Sequence, residues 1–158
     1  SRDRFGNPGV TPFLICATPR SGSAWLSNFL TYDGVLCVHE PMVTPVPESG
    51  HWLVGGVDTG AAHFPLPLSK RIYQLRRDER EVERSLRNMG LPWIATPRLE
   101  VKTWDYADLF TLDCLSEIWA EIVGTPFDAI RASQLIEFNV QHSIAPLAAR
   151  VRDQLCLG

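Results

Sequence analysis

Apolar residues along the chain fall into short runs divided by polar turns, and the runs alternate between a continuous and a helically spaced pattern. Pro12–Ala17 (Pro-Phe-Leu-Ile-Cys-Ala) is a continuous apolar run stopped by Thr18-Pro19, which predicts a buried strand. In Ser23–Tyr32 the apolar positions Trp25, Leu26, Phe29 and Leu30 share one helical face. Val35–Val38 and Ile72–Leu75 predict two more strands, the first of them closed by His39-Glu40-Pro41. Glu79–Met89 predicts a helix with Val82, Leu86 and Met89 turned inward and Gly90 as its terminator. Leu99–Thr103 reads as a further strand. Leu112, Leu115, Ile118, Trp119 and Ile122 then form a helical stripe that ends at Gly124, with Asp113 placed to lead it. Pro126 opens another helix through Phe127, Ile130 and Ile136, and a last helix is expected over Ile144–Leu155.

Two stretches lack such periodicity. Residues 1–11 are polar and rich in Gly and Pro, and read as a loose lead-in. Met42–Ser69 is also rich in Pro and Gly, and a loop of that length in a small domain predicts a lid or binding segment. Strands alternating with helices imply an α/β fold: three layers, with a mainly parallel central sheet flanked by helices. Ligands of such sheets bind at the carboxyl ends of the strands, which is where the loop after the first strand lies.

Composition narrows the classes without selecting one. The 158 residues fit a single domain over 1–158 with a real core, and 45% hydrophobic with 21% charged residues is an ordinary globular balance. A net charge of −3 argues against general nucleic-acid binding, although Arg76, Arg77, Arg80, Arg84 and Arg87 form a local basic cluster. No apolar run reaches the roughly 18–20 residues of a membrane-spanning helix. No basic segment followed by an apolar stretch marks a secretory leader in the sequence as it stands, which starts at Ser1. Cys16, Cys37, Cys114 and Cys156 are far apart and form no CxxC pair, so neither a zinc site nor a redox motif is expected. Cysteines in apolar runs, as Cys16 and Cys37 are, act as small buried hydrophobes, and this favours a reducing, cytoplasmic setting.

The candidate chemistry sits in Thr18-Pro19-Arg20-Ser21-Gly22-Ser23-Ala24-Trp25, between the first strand and the first helix. Gly22 lets the backbone curl closely around an anion, and amides from Ser21 to Ala24 can converge on phosphate oxygens at a helix N-terminus. Arg20 adds fixed positive charge, and Ser23 a hydroxyl donor. The triphosphate-binding pattern GxxxxGK[ST] is absent, which argues against ATP or GTP with magnesium.

Pro19–Trp25 (PRSGSAW) resembles the loop of the sulfotransferases, commonly PKSGTTW or PRSGSTWL, which binds the 5′-phosphosulfate of 3′-phosphoadenosine 5′-phosphosulfate. The family holds the donor's 3′-phosphate with an Arg at a later strand end and a Ser eight residues on; Arg77 and Ser85 keep that spacing. Tyr106-Ala107-Asp108-Leu109 resembles the family's YEDL, and Gly124–Asp128 its LGLPFD, in the family's order. The likeness spans Phe13 to Asp128. It implies a phosphate-loop fold that transfers a sulfuryl group to a small-molecule or carbohydrate acceptor and releases adenosine 3′,5′-bisphosphate, without a metal.

By the same resemblance Arg20 is the electrophilic clamp, and Ser21 to Trp25 supply backbone amides. Tyr106 is the leading aromatic surface for adenine, ahead of Trp104 and Trp52. For the base, the residues leave His39 and Glu40 open, since successive strand residues face opposite sides. A Glu-Pro pair at this distance from the loop arginine is found in carbohydrate sulfotransferases and favours Glu40. His51 and His63 are outside candidates if the long loop closes over the acceptor. The sequence departs from the family where Glu79 stands for a frequent Pro. It also lacks the basic RKG-like segment that closes over the 3′-phosphate, leaving Arg150 and Arg152 as substitutes. A kinase-like nucleotide enzyme, or a non-catalytic binding or assembly module of the same fold, are the alternatives.

Overall fold

The computed structural model describes residues 11–43 and 52–137 of the chain. Five strands, β1 (Phe13–Ala17), β2 (Val35–His39), β3 (Leu53–Asp58), β4 (Arg71–Arg76) and β5 (Thr103–Asp105), form one sheet in the order β2-β3-β1-β4-β5. Every pairing is parallel. β1 lies in the middle and is buried along its whole length, which is why it reads as an unbroken apolar run rather than an alternation.

The helices are α1 (Ser23–Leu30), α2 (Glu79–Asn88), α3 (Tyr106–Leu109), α4 (Leu112–Ile122) and α5 (Ala129–Glu137). Phe13 and Ile15 of β1 and Leu75 of β4 pack in one cluster with Trp25 and Phe29 of α1 and Ile118 and Trp119 of α4. Leu14 and Cys16 point the other way, toward Ala61 and half-buried Leu66, Ile72 and Leu99. The β1-to-β2 connection runs to one side of the centre and the β4-to-β5 connection to the other, and crossovers of the usual right hand then put α1 and α2 on opposite faces. The result is a three-layer α/β domain. No helix among the described residues is long and apolar enough to cross a membrane.

Capping sets the helix starts. The Asp78 side chain accepts from the amides of Arg80 and Glu81 and opens α2. Thr111, rather than Asp113, caps α4 by accepting from Cys114 N. Met89 is not inward: it is the residue after α2 and is exposed, like Leu112 and Ile130. α5 starts at Ala129, with Asp128 accepting from Arg131 N.

The largest departure from the sequence reading lies in Met42–Ser69, where a central strand, β3, sits between β2 and β1. Its Leu-Val-Gly-Gly-Val-Asp carries two glycines that lower strand propensity and disguise it. Both are there for contact: a Cβ on Gly55 would lie 2.4 Å from the Phe13 ring, and one on Gly56 2.4 Å from the Pro41 ring. The fifth strand begins four residues later than expected, at Thr103. Before it, Gln74 takes over the pairing from its side chain, donating to Pro97 O (2.9 Å) and accepting from Leu99 N (3.0 Å). The helix expected over Ile144–Leu155, with Arg150 and Arg152, lies outside the described residues, as does His51.

Candidate active site

From β1 the chain runs first to β2 and β3 on one side and then to β4 and β5 on the other, so the sheet opens a crevice at the carboxyl end of β1. The loop Thr18–Gly22 fills it. Thr18 laces β1 to β4: its amide donates to Leu75 O (3.0 Å) and its hydroxyl accepts from Arg77 N (2.9 Å). Arg20 (φ 60°) and Gly22 (φ 79°) both adopt the left-handed conformation that curls the loop onto the start of α1. Gly22 is the N-cap of α1, no side chain caps that helix, and its first turn holds no acidic residue. An uncapped N-terminus with the dipole's positive end facing a crevice suits an anion.

A cavity of about 310 Å³ lies there, and nine of the ten residues around it are sequence-derived candidates: Pro19, Arg20, Gly22, Ser23, Ala24, His39, Glu40, Arg77 and Tyr106. Thr59 is the tenth and was not among them. The signal for it was the Asp-Thr-Gly turn that ends β3, hidden while that strand read as loop. Ser21 turns inward and its hydroxyl donates to Thr18 O, while the Trp25 ring is buried against Phe29 and Phe110. Neither of these two lines the cavity.

Arg77 and Ser85 do not form a separate pair. The Arg20 Nε donates to Ser85 Oγ (3.1 Å), and the Arg77 guanidinium donates to the Arg20 carbonyl, so the two arginines and the serine make one cluster. Arg77 also pairs with Glu81 (3.3 Å) and lies 4.5 Å above the Tyr106 ring. Arg77 and Tyr106 are shared with a larger adjoining cleft of about 810 Å³, which Trp104 and Arg98 also line. Trp104 is buried against Tyr73, and Trp52 packs on Leu36 and Val38 away from both cavities. His63, exposed at the end of a 3-10 turn, lines neither.

His39 and Glu40 face the same cavity, against the alternation expected of a strand. The cause is a left-handed backbone at Glu40 (φ 57°), one residue past the end of β2, which turns its side chain back beside that of His39. Glu40 N still donates to Val57 O (2.9 Å), so the turn stays docked on β3. His39 Nε2 is 3.1 Å from Ser23 Oγ and 3.2 Å from Glu40 Oε1. Serine and carboxylate thus meet one ring nitrogen, unlike the Ser–His–acid relay in which they sit on opposite nitrogens.

The Glu40 carboxylate is further held by Thr59, whose hydroxyl donates to Oε1 (2.8 Å) and whose amide donates to both oxygens (3.2 and 3.3 Å). Burial by itself would raise this carboxyl; the hydrogen bonds from His39 and Thr59 and the charge of a protonated His39 outweigh it and hold the group below the usual glutamate range. An ionised, hydrogen-bonded carboxylate orients its neighbours well and is a weak proton acceptor. The cysteines among the described residues lie elsewhere: Cys16, Cys37 and Cys114 are free and buried, and burial pushes the Cys16 and Cys114 thiols to about 11. Comparison with protein-family models, with curated proteins and with solved structures finds no match to this chain.

Proposed function

We propose that the chain is a sulfotransferase, moving a sulfuryl group from 3′-phosphoadenosine 5′-phosphosulfate to the hydroxyl or amine of a small-molecule or carbohydrate acceptor. The observation that carries this reading is the meeting of Arg20, Arg77, Ser23 and His39 around one cavity at the uncapped start of α1. The residues suit such a donor: two guanidiniums and a helix N-terminus for its anionic groups, and the Tyr106 ring at the passage to the larger cleft for its base. Bound there, the donor supplies an activated sulfuryl group and departs as adenosine 3′,5′-bisphosphate.

The chain's own groups then divide the work. Arg20 sets positive charge where negative charge builds on the leaving side, and the first-turn amides of α1 hold that side in place. In its Nδ1–H tautomer His39 takes the acceptor's proton at Nε2, which lies 3.1 Å from Ser23 Oγ, and the N–H formed there then donates to Glu40 Oε1, 3.2 Å away. Glu40, its carboxylate fixed and ionised, orients the imidazole and stabilises it once charged; this reverses the preference for Glu40 as base that the sequence resemblance suggests. Arg77 joins the loop to α3 through the Arg20 carbonyl and the Tyr106 ring.

The test is sulfuryl transfer from isotopically labelled donor to a panel of alcohols, phenols, amines and sugars. Transfer by the native chain that disappears in Arg20→Ala is the expected result. A chain that binds the donor yet labels no acceptor and releases no sulfate would instead be a non-catalytic module.

A further inference from the structure

We propose that Thr59, at the carboxyl end of β3, is a positioning residue of this site, fixing the Glu40 carboxylate and through it the His39 imidazole. The inference rests on the sulfuryl-transfer reading for its chemical meaning, and on the geometry around Glu40 for its physical content. Glu40 has a backbone conformation unfavourable for a side chain with a Cβ, so its direction needs outside support. That support comes from two consecutive residues of β3's end. Asp58 is buried and holds the backbone on both sides of the turn, accepting from Met42 N (3.1 Å) and Gly60 N (2.7 Å). Thr59 holds the side chain, with its hydroxyl on Oε1 at 2.8 Å and its amide shared by both oxygens.

The consequence is directional. Thr59 donates from the β3 side, so the edge of Oε1 that remains meets His39 Nε2 at 3.2 Å, and the same nitrogen is 3.1 Å from Ser23 Oγ. Thr59 therefore acts through Glu40 on the ring that faces the acceptor. Other ionisable groups around this carboxylate are Arg20 from the loop after β1, Arg77 from the end of β4 and Tyr106 from α3, all lining the cavity, and Asp58, whose oxygens are turned to backbone amides. Of the donors on Glu40, only the Thr59 hydroxyl can be deleted without removing a charge or a ring.

The experiment is a carboxyl-carbon NMR titration of the full chain carrying ¹³C-glutamate, with Glu40→Gln identifying the Glu40 signal. Thr59→Val removes the hydroxyl at nearly constant shape; Thr59→Ser restores it. The Glu40 carboxyl is expected to titrate at higher pH in Thr59→Val than in the native chain, and at the native position in Thr59→Ser. The transfer rate of Thr59→Val is expected to fall about tenfold at unchanged donor KM, the scale of one hydrogen bond to a charged group. An unchanged titration in Thr59→Val, or a Thr59→Ser variant that behaves like it, would overturn the assignment. The titration uses neither donor nor acceptor, so it decides the role of Thr59 separately from the reaction; absence of donor binding would count against the sulfuryl-transfer reading alone.

Discussion

At Glu40 the backbone enters the left-handed region (φ 57°), which costs a residue with a Cβ roughly 1–2 kcal/mol, and the loop arginine Arg20 does the same (φ 60°). Both stand one to three residues past the end of a strand and both line the cavity. The two substitutions most informative at this scale are Arg20→Ala and Glu40→Gln. Arg20→Ala is expected to abolish transfer, and because Arg20 is exposed it should leave the unfolding free energy from urea titration within about 0.5 kcal/mol of native. Glu40→Gln is expected to slow transfer about ten- to a hundredfold and to spare donor binding, whereas His39→Ala removes transfer. The lowered Glu40 pKa fixes a sign as well. A carboxyl with a depressed folded-state pKa contributes stability above its unfolded value, and that contribution is lost as pH falls through the folded value. Urea titrations at descending pH should therefore show a steeper acid loss in the native chain than in Glu40→Gln; parallel curves would contradict it.

At the scale of elements, β3 illustrates how packing can hide a strand. Gly55 and Gly56 give up propensity so that Phe13 and Pro41 can lie flat on the sheet. Gly55→Ala drives a Cβ to 2.4 Å from the Phe13 ring and is expected to destabilise the chain by about 1–3 kcal/mol in chemical denaturation. Thr31 guards the outer edge of β2, its hydroxyl accepting from Cys37 N (3.0 Å) and lying 3.1 Å from Cys37 O. Thr31→Val, which leaves those buried groups without that partner, is expected to cost about 1–3 kcal/mol in the same experiment. The first strand, its loop and α1 were legible because each obeys its own local pattern: a buried run, a small-residue turn, then apolar residues at helical spacing. β3 was not, since its glycines answer to residues distant in sequence. The shared facing of His39 and Glu40 was also invisible, because an alternating strand does not announce a left-handed residue at its end. With β3 went Asp58 and Thr59, the residues that support that turn.

Across the whole molecule, the sheet order places the ends of β1, β2, β3 and β4 around one crevice, so residues from Pro19 to Tyr106 meet there. Arg77 binds the parts together: its amide to Thr18, its guanidinium to the Arg20 carbonyl and its flat face over Tyr106. The function we propose asks this arrangement to hold a nucleotide that bears two phosphate groups. Isothermal titration with adenosine 3′,5′-bisphosphate, run beside ATP with magnesium on the native chain and on Arg77→Ala, tests it most directly. The expected result is metal-independent binding of the bisphosphate that is lost in Arg77→Ala, with no comparable binding of ATP. Binding of ATP with magnesium alone, or of neither nucleotide, would contradict it.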